Sequence, residues 1–172
     1  PGLDDTGWRT LNVPHDWSIE QPMDPKAPGG SSTGYRRVGI GWYRKTFELP
    51  KAAEGQKVFI DFDGVYMNSQ VWINGHLLGF RPFGYIGFRY DLTPYLNADG
   101  ENVIAVRTDV KDASSRWYPG GGIYRRVWLT TVDPIHVAHW GNYVTTPKVS
   151  ETEASVQLRI EVENQRTSAA EV

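Results

Sequence analysis

The feature that most constrains this chain is a series of short strand-like runs, each ended by turn-forming residues. In one run Val58, Ile60 and Phe62 alternate with Phe59 and polar neighbours, which puts one apolar face inward and a mixed face outward. A later run ends at 74–75, an Asn-Gly pair that tolerates positive φ and favours a two-residue type I′ hairpin. No stretch has the 3.6-residue period of an amphipathic helix. The chain is therefore predicted to be all-β.

The remaining runs predict two unequal units. Stretch 102–109 is apolar on both faces, which is typical of a central strand. After the Asp-Pro pair at 133–134 the pattern changes, and stretch 154–163 alternates strictly between aliphatic and polar residues. We predict one complete sandwich over 1–134, followed by the first strands of a second sheet over 135–172. The second part is too short to close a sandwich by itself.

Composition excludes several classes of function. The formal net charge is −2 and cysteine is absent, so neither a nucleic-acid-binding basic face nor a thiolate metal site is expected. No run of 18 apolar residues indicates a membrane span. Seven tryptophans contribute to an aromatic content of 13%. Such rings can stack on sugars, but for any single tryptophan a place in the core is the favoured interpretation.

Five short blocks then occur in a fixed order. They are VPHDW at 13–17, GWYRKTF at 41–47, FDGV with VWING at 62–75, DLT with YL at 91–96, and SRWYPGGGIYR at 115–125. Together they resemble the N-terminal domain of family 2 glycoside hydrolases, and the last block resembles the β-galactosidase branch. The tail resembles the opening strands of the immunoglobulin-like second domain of the same enzymes.

This resemblance implies a jelly-roll, galactose-binding-like β-sandwich over 1–134 and an incomplete immunoglobulin-like β-sandwich over 135–172. In the family, two Glu residues of a separate (β/α)8 barrel perform retaining hydrolysis, and the acid/base residue normally follows an Asn. This chain has no Asn-Glu dipeptide. We therefore expect no catalytic residue and no cofactor here, and no activity from this chain alone.

The resemblance also implies a substrate-binding loop carrying Arg116, Trp117 and Tyr118. A guanidinium can bind neighbouring sugar hydroxyls, and an indole can stack on a sugar ring. Three glycines end this loop and would let it approach another surface closely. The alternative is that Arg116 pairs with Asp109 or Asp112, and that Trp117 packs on the sandwich.

Other candidate sites are weaker. Stretch 24–41 contains a glycine-rich run, but the run lacks the Gly-Lys-Ser ending of a phosphate loop, so that function is excluded. The stretch is then either a loop that borders the active site or a linker on the surface. His15-Asp16 has no accompanying nucleophile, and Asp16 is interpreted as a turn or cap residue. No metal site is predicted. His136 and His139 face opposite ways along a strand and so cannot bind one ion together. The carboxylates at 61 and 63 share a face, but a solvent-exposed face is the favoured interpretation for them.

Several functions stay open at this point. The first is the non-catalytic domain of a glycosidase that hydrolyses terminal β-galactosides, lending a loop to the active-site rim and contacting the barrel. A free-standing carbohydrate-binding module is an alternative, as is the same domain from a β-glucuronidase or β-mannosidase. The tail strand could pair with a second copy through its edge. Periplasmic, secreted and cytoplasmic locations are all compatible with the sequence.

Overall fold

The computed structural model describes residues 2–111 and 120–171. Three single-turn 3₁₀ helices span Gly30–Thr33, Lys51–Ala53 and Thr93–Tyr95. The strands of the described ranges are β1 (Gly39–Phe47), β2 (Lys57–Phe62), β3 (Ser69–Ile73), β4 (His76–Arg81), β5 (Phe88–Asp91), β6 (Asn102–Val110), β7 (Val127–Val132), β8 (Ile135–Val149) and β9 (Ala154–Asn164). No helix in these ranges has the length and apolar character that crossing a membrane requires.

Two antiparallel sheets form the sandwich. One has the strand order β1-β6-β3-β4 and the other β5-β2-β7. Strand β6 lies between β1 and β3, so the prediction of a central strand over 102–109 is confirmed. The core joins both sheets and consists of Val58, Ile60, Phe62, Val65, Val71, Ile73, Phe88, Leu92, Ile104, Val106 and Ile123. The predicted β-sandwich is thus confirmed.

The predicted hairpin and its neighbouring strand show how local sequence sets this fold. Asn74 and Gly75 have φ values of 49° and 87°, which are the left-handed angles that join β3 to β4 in a type I′ turn. Phe59 departs from the prediction, since it is only 7% exposed although it faces away from the core. The Arg89 guanidinium lies 4.9 Å from its ring and the His136 ring lies 6.0 Å away, and these two groups cover it.

A buried amide ties the turns at one end of the sandwich together. Asn102 is fully buried, and its Nδ2 donates to the carbonyls of Asn97 and Gly100 at 3.0 and 3.3 Å. Its Oδ1 accepts from the Asn97 backbone N–H and from the Asn74 side chain, both at 2.8 Å. Burying such a group is favourable only when its donors and acceptors are paired, as they are here.

Strands β8 and β9 form a separate two-stranded sheet. Val144 pairs with Leu158 and Val137 with Val162, so the aliphatic residues share a face. They are between 43% and 69% exposed, because no described layer covers that face: Val137, Val144, Val156, Leu158, Ile160 and Val162. The strand predicted at 154–163 is present as β9. The domain boundary near 134 and the immunoglobulin-like assignment remain predictions.

Candidate functional site

The predicted substrate-binding residues Arg116, Trp117 and Tyr118 lie outside the described residues, so their role remains a prediction. The structure does describe the C-terminal root of their loop, residues 120–123, and the start of the loop at Lys111. The geometry of the root determines how firmly the loop is attached to the sandwich.

The root runs between two backbone partners. On one side His15 N–H donates to the Ile123 carbonyl and Trp17 N–H donates to the Gly121 carbonyl, both at 2.8 Å. On the other side Gly122 and Tyr66 exchange both of their backbone hydrogen bonds, at 2.8 and 2.9 Å. The backbone of the VPHDW block therefore holds the loop root in place.

Asp16 completes this clamp with a buried carboxylate. Its Oδ1 accepts from the backbone N–H groups of Gly121 and Ser18, each at 2.9 Å, and of Ile19 at 3.3 Å. The residue is only 8% exposed, and the three backbone N–H groups satisfy its buried oxygen there. Asp16 is thus a turn-fixing residue, as the sequence indicates, and not half of a catalytic dyad.

Two glycines of the root are needed for this close approach. A Cβ on Gly120 would collide with the Asp16 carboxylate, and a Cβ on Gly121 would lie 2.6 Å from the Trp17 indole. The glycines predicted to approach another surface therefore approach the sandwich's own VPHDW segment. Any side chain at either position would push the root away from its clamp.

His15 takes part in a second network behind the root. Its Nδ1 lies 2.8 Å from the Tyr43 hydroxyl, and its Nε2 lies 3.1 Å from Glu20, which also pairs with Arg9. Burial raises the pKa of Tyr43 to about 12, so the phenol keeps its proton, and the hydroxyl and Nδ1 share one hydrogen bond. A hydrogen bond from Arg9, and to a lesser extent one from His15, lowers the pKa of Glu20. A Cβ on Gly122, whose φ is 137°, would collide with the Tyr43 hydroxyl.

Stretch 24–41 folds back against the same end of the sandwich. The Asp24 N–H donates to the Tyr35 carbonyl at 3.0 Å, and the Ser18 hydroxyl donates to the Arg37 carbonyl at 3.2 Å. Its glycine-rich part forms only the four-residue 3₁₀ helix Gly30–Thr33. Without an α-helix after it, this run lacks the geometry of a phosphate loop. Its place at an active-site border remains a prediction.

Possible metal ligands are engaged elsewhere. Asp61 receives two bonds from Arg89, at 2.6 and 3.0 Å, and one from Thr130 at 2.9 Å, so its side chain is less solvated than expected. The His136 ring packs against Phe59. Over 2–111 and 120–171 there is no group of three or more His, Asp or Glu side chains that could hold a metal ion.

Comparison with known proteins identifies the family. The model of the family described as "Glycosyl hydrolases family 2, sugar binding domain" matches residues 8–133. The chain belongs to glycoside hydrolase family 2. It is 53% identical to a β-galactosidase of Bacteroides ovatus over 96% of the chain, and 48% identical to a putative β-glucuronidase of Formosa agariphila over 93%. The match covers 20% and 16% of those two proteins, so the chain spans about a fifth of their length or less.

Solved structures of family 2 proteins share the fold. A β-glycosidase from Bacteroides vulgatus superposes with a TM-score of 0.91 at 47% identity, covering 98% of this chain and 22% of that one. A β-glucuronidase of the same family superposes with a TM-score of 0.86 at 34% identity, covering 96% of this chain and 20% of that one. The all-β sandwich of this family 2 domain is therefore shared by relatives with different named activities.

Sequence reasoning missed where the tryptophans of this family 2 domain lie. Of the six in the described ranges, four are exposed: Trp8 at 42%, Trp42 at 47%, Trp128 at 49% and Trp140 at 88%. The expectation that a tryptophan is usually in the core is wrong for Trp8, Trp42 and Trp140. In VWING both neighbours of Trp72 are buried, so alternation turns its ring outward as well, where it is half-buried.

A shallow aromatic depression was also missed. Tyr66, Tyr85 and Tyr124 line it beside Asp16 and Gly120. The Tyr66 and Tyr85 rings meet edge to face at 5.4 Å. These residues come from three separate loops, and no spacing in the sequence indicates that they meet.

Proposed function

We propose that this chain is the N-terminal, non-catalytic domain of a retaining glycosidase that hydrolyses terminal β-galactosides. The domain holds loop 112–119 at the rim of the active site, where Arg116, Trp117 and Tyr118 contact the sugar. The observation that carries this proposal is the clamp on the loop root, in which Asp16 and the backbone of 15–17 hold residues 120–123. The clamp fixes the point at which this loop joins the sandwich.

The choice of galactoside follows from similarity. The 53% identical relative carries the name β-galactosidase. A second candidate is a β-glucuronidase, because a 48% identical relative is named as a putative one. Under either proposal the two catalytic carboxylates belong to a separate barrel, about 5–5.5 Å apart, and this domain only shapes the sugar's surroundings.

The parent protein can be assayed on nitrophenyl β-galactoside, β-glucuronide and β-mannoside in parallel. We expect the highest kcat/KM on the galactoside and no turnover by the 172-residue chain alone. A preference for the glucuronide or mannoside would replace the proposed substrate. Turnover by the chain alone, above a buffer control, would contradict its non-catalytic role, and an inactive parent would favour a carbohydrate-binding module.

A substitution tests the proposed role of the loop. In the parent, Arg116→Ala should lower kcat/KM on the galactoside about 10- to 100-fold, since a charged hydrogen bond to substrate contributes roughly 1.5–3 kcal/mol. Thermal stability should change little. Arg126→Ala is the control, because that guanidinium lies over the Trp128 ring of β7. If Arg116→Ala melts early and keeps its activity, Arg116 makes a structural ion pair instead.

A further inference from the structure

The loop between β4 and β5, residues 82–87, presents two large apolar side chains to solvent. Phe83 and Ile86 are each 55% exposed. The Phe83 ring meets the Tyr85 ring edge to face at 5.5 Å, which fixes its position in the loop. We call the exposed side chains of Phe83 and Ile86 the apolar loop patch. We propose that, in the parent protein, the apolar loop patch docks against the catalytic barrel of the same polypeptide.

Contacts with the sandwich hold the backbone of this loop. The Asn68 N–H donates to the Pro82 carbonyl at 3.2 Å. The Tyr124 hydroxyl donates to the Gly84 carbonyl at 2.8 Å. Gly84 also lies so close to the Tyr66 ring that a Cβ there would collide with it. The apolar loop patch is thus carried by a loop that is already ordered, so docking requires little further ordering of the chain.

Strand register places this loop at the end of the sandwich that carries the proposed substrate-binding loop. Arg81 ends β4 opposite Ser69, the first residue of β3. Strand β6 is also antiparallel to β3 and ends at Val110, so loop 112–119 leaves the sandwich from the same end. The two loops meet in the shallow aromatic depression, which Tyr85 and Gly120 both line. The apolar loop patch therefore lies beside the clamped loop root.

This position determines which part of the parent covers the patch. The chain spans about a fifth of the length of its relatives or less, so most of such a protein lies outside it. For residues 116–118 to contact a sugar held in the barrel, the end of the sandwich around their loop root must face the barrel. Because Phe83 and Ile86 lie at that end, the barrel is the neighbour that buries them.

The charges around the patch specify the chemistry of the surface that faces it. The Arg81 guanidinium lies over the Phe88 ring at 5.7 Å, just before the loop. The Arg125 guanidinium lies over the ring of Tyr124, whose hydroxyl holds the loop. Neither arginine forms an ion pair with a carboxylate of the described residues. The facing barrel surface should therefore offer an apolar recess with Asp or Glu side chains at its rim.

Photo-crosslinking in the parent protein tests the docking directly. Benzoylphenylalanine in place of Phe83 should form cross-links within the same polypeptide, to a peptide of the barrel. Benzoylphenylalanine in place of Leu77 is the matched control, because Leu77 is 53% exposed beside the turn at 74–75, at the opposite end of the sandwich. Three outcomes would overturn the proposal: no cross-link from position 83, cross-links from position 83 to a second copy, or an equal yield of barrel cross-links from position 77.

A substitution tests whether the docking positions the substrate-binding loop. In the parent, Phe83→Asp should lower kcat/KM on the nitrophenyl galactoside about 10- to 100-fold, because it removes an aromatic anchor from the interface. Leu77→Asp should leave kcat/KM unchanged, and Phe83→Leu, which keeps an apolar side chain, should lose less activity. Circular dichroism checks that each variant folds. Equal kcat/KM values for folded Phe83→Asp and Leu77→Asp would overturn the proposal.

The docking rests on the proposed function, but the two can fail separately. The cross-linking experiment requires no turnover, and the nitrophenyl assay of the unmodified parent requires no docking of Phe83. A parent that is active on β-galactosides but forms no cross-link from position 83 to the barrel overturns only the docking. An inactive parent in which these cross-links form overturns only the proposed glycosidase.

Discussion

The sandwich of β1–β7 and the hairpin of β8–β9 obey the same alternation of apolar and polar residues, yet they differ in burial. In the sandwich, Ile73 and Val71 are fully buried between two sheets. In the hairpin, Ile160 and Leu158 are 50% and 56% exposed on a face that no described layer covers. Alternation therefore predicts a strand and its two faces, whereas burial depends on whether a second layer faces it.

In the described ranges, the hairpin contacts the sandwich near the first residues of β8, where His136 packs on Phe59. At the base of the hairpin the Gln165 N–H donates to the Pro134 carbonyl at 2.8 Å. Farther along, Trp140 is 88% exposed and Val149 is 69% exposed. Each large aliphatic side chain left exposed forgoes roughly 1.5–3 kcal/mol of burial free energy. Stability should therefore fall along the hairpin away from its root.

The largest expected effect is the difference in the free energy of unfolding between two Ile→Ala variants, one in each region. Ile73→Ala should lower the free energy of unfolding by about 2–5 kcal/mol, because it opens a cavity in a closed core. Ile160→Ala should change it by less than about 1 kcal/mol, because its side chain is already half in solvent. Urea denaturation of both variants measures the difference. Equal losses would mean that the hairpin face is covered in solution.

A second pair compares polar side chains of the same type. Asn102→Ala should lower the free energy of unfolding by about 2–3 kcal/mol, since it leaves buried partners unsatisfied around residues 97–102. Asn142→Ala, at an exposed position of β8, should change it by less than about 0.5 kcal/mol. The same denaturation curves decide between these values. A neutral Asn102→Ala would show that the amide network is dispensable.

The sequence predicts the strands and turns of this fold better than it predicts the site. Local patterns were enough for the hairpin at 74–75 and for the central strand β6. The clamp on the loop root was not predictable in the same way, because Asp16 meets Gly121 across 105 positions of the chain. Only the resemblance of the VPHDW and GGGIYR blocks to a family indicated that both matter. The exposure of Trp42 depends on the register of β1, which the hydrophobicity of its ring does not reveal.

The smallest effect expected concerns pH. The pKa of Glu20 lies below its usual 4.5, so its pairing with Arg9 and His15 contributes stability that is present above about pH 4.5. This contribution is lost as the pH falls through the lowered folded-state pKa. Glu20→Gln should therefore lower Tm slightly at pH 7, and the gap from the unmodified chain should close on acidification. Glu151→Gln, in the turn between β8 and β9, is the matched control. If the Tm difference between Glu20→Gln and the unmodified chain persists at low pH, the stabilising role assigned to the Glu20 carboxylate is wrong.

Hydrogen exchange of individual backbone amides tests most directly whether the two regions differ as described. At low protein concentration, the β6 amides should exchange only through global unfolding, whereas the β9 amides beyond the hairpin root should exchange much faster. Protection in β9 should rise with protein concentration if its open edge pairs with a second copy, and a chain ending near Pro134 should show no such dependence. If β9 is as protected as β6 at every concentration, the hairpin is stable by itself and the contrast between the two regions is wrong.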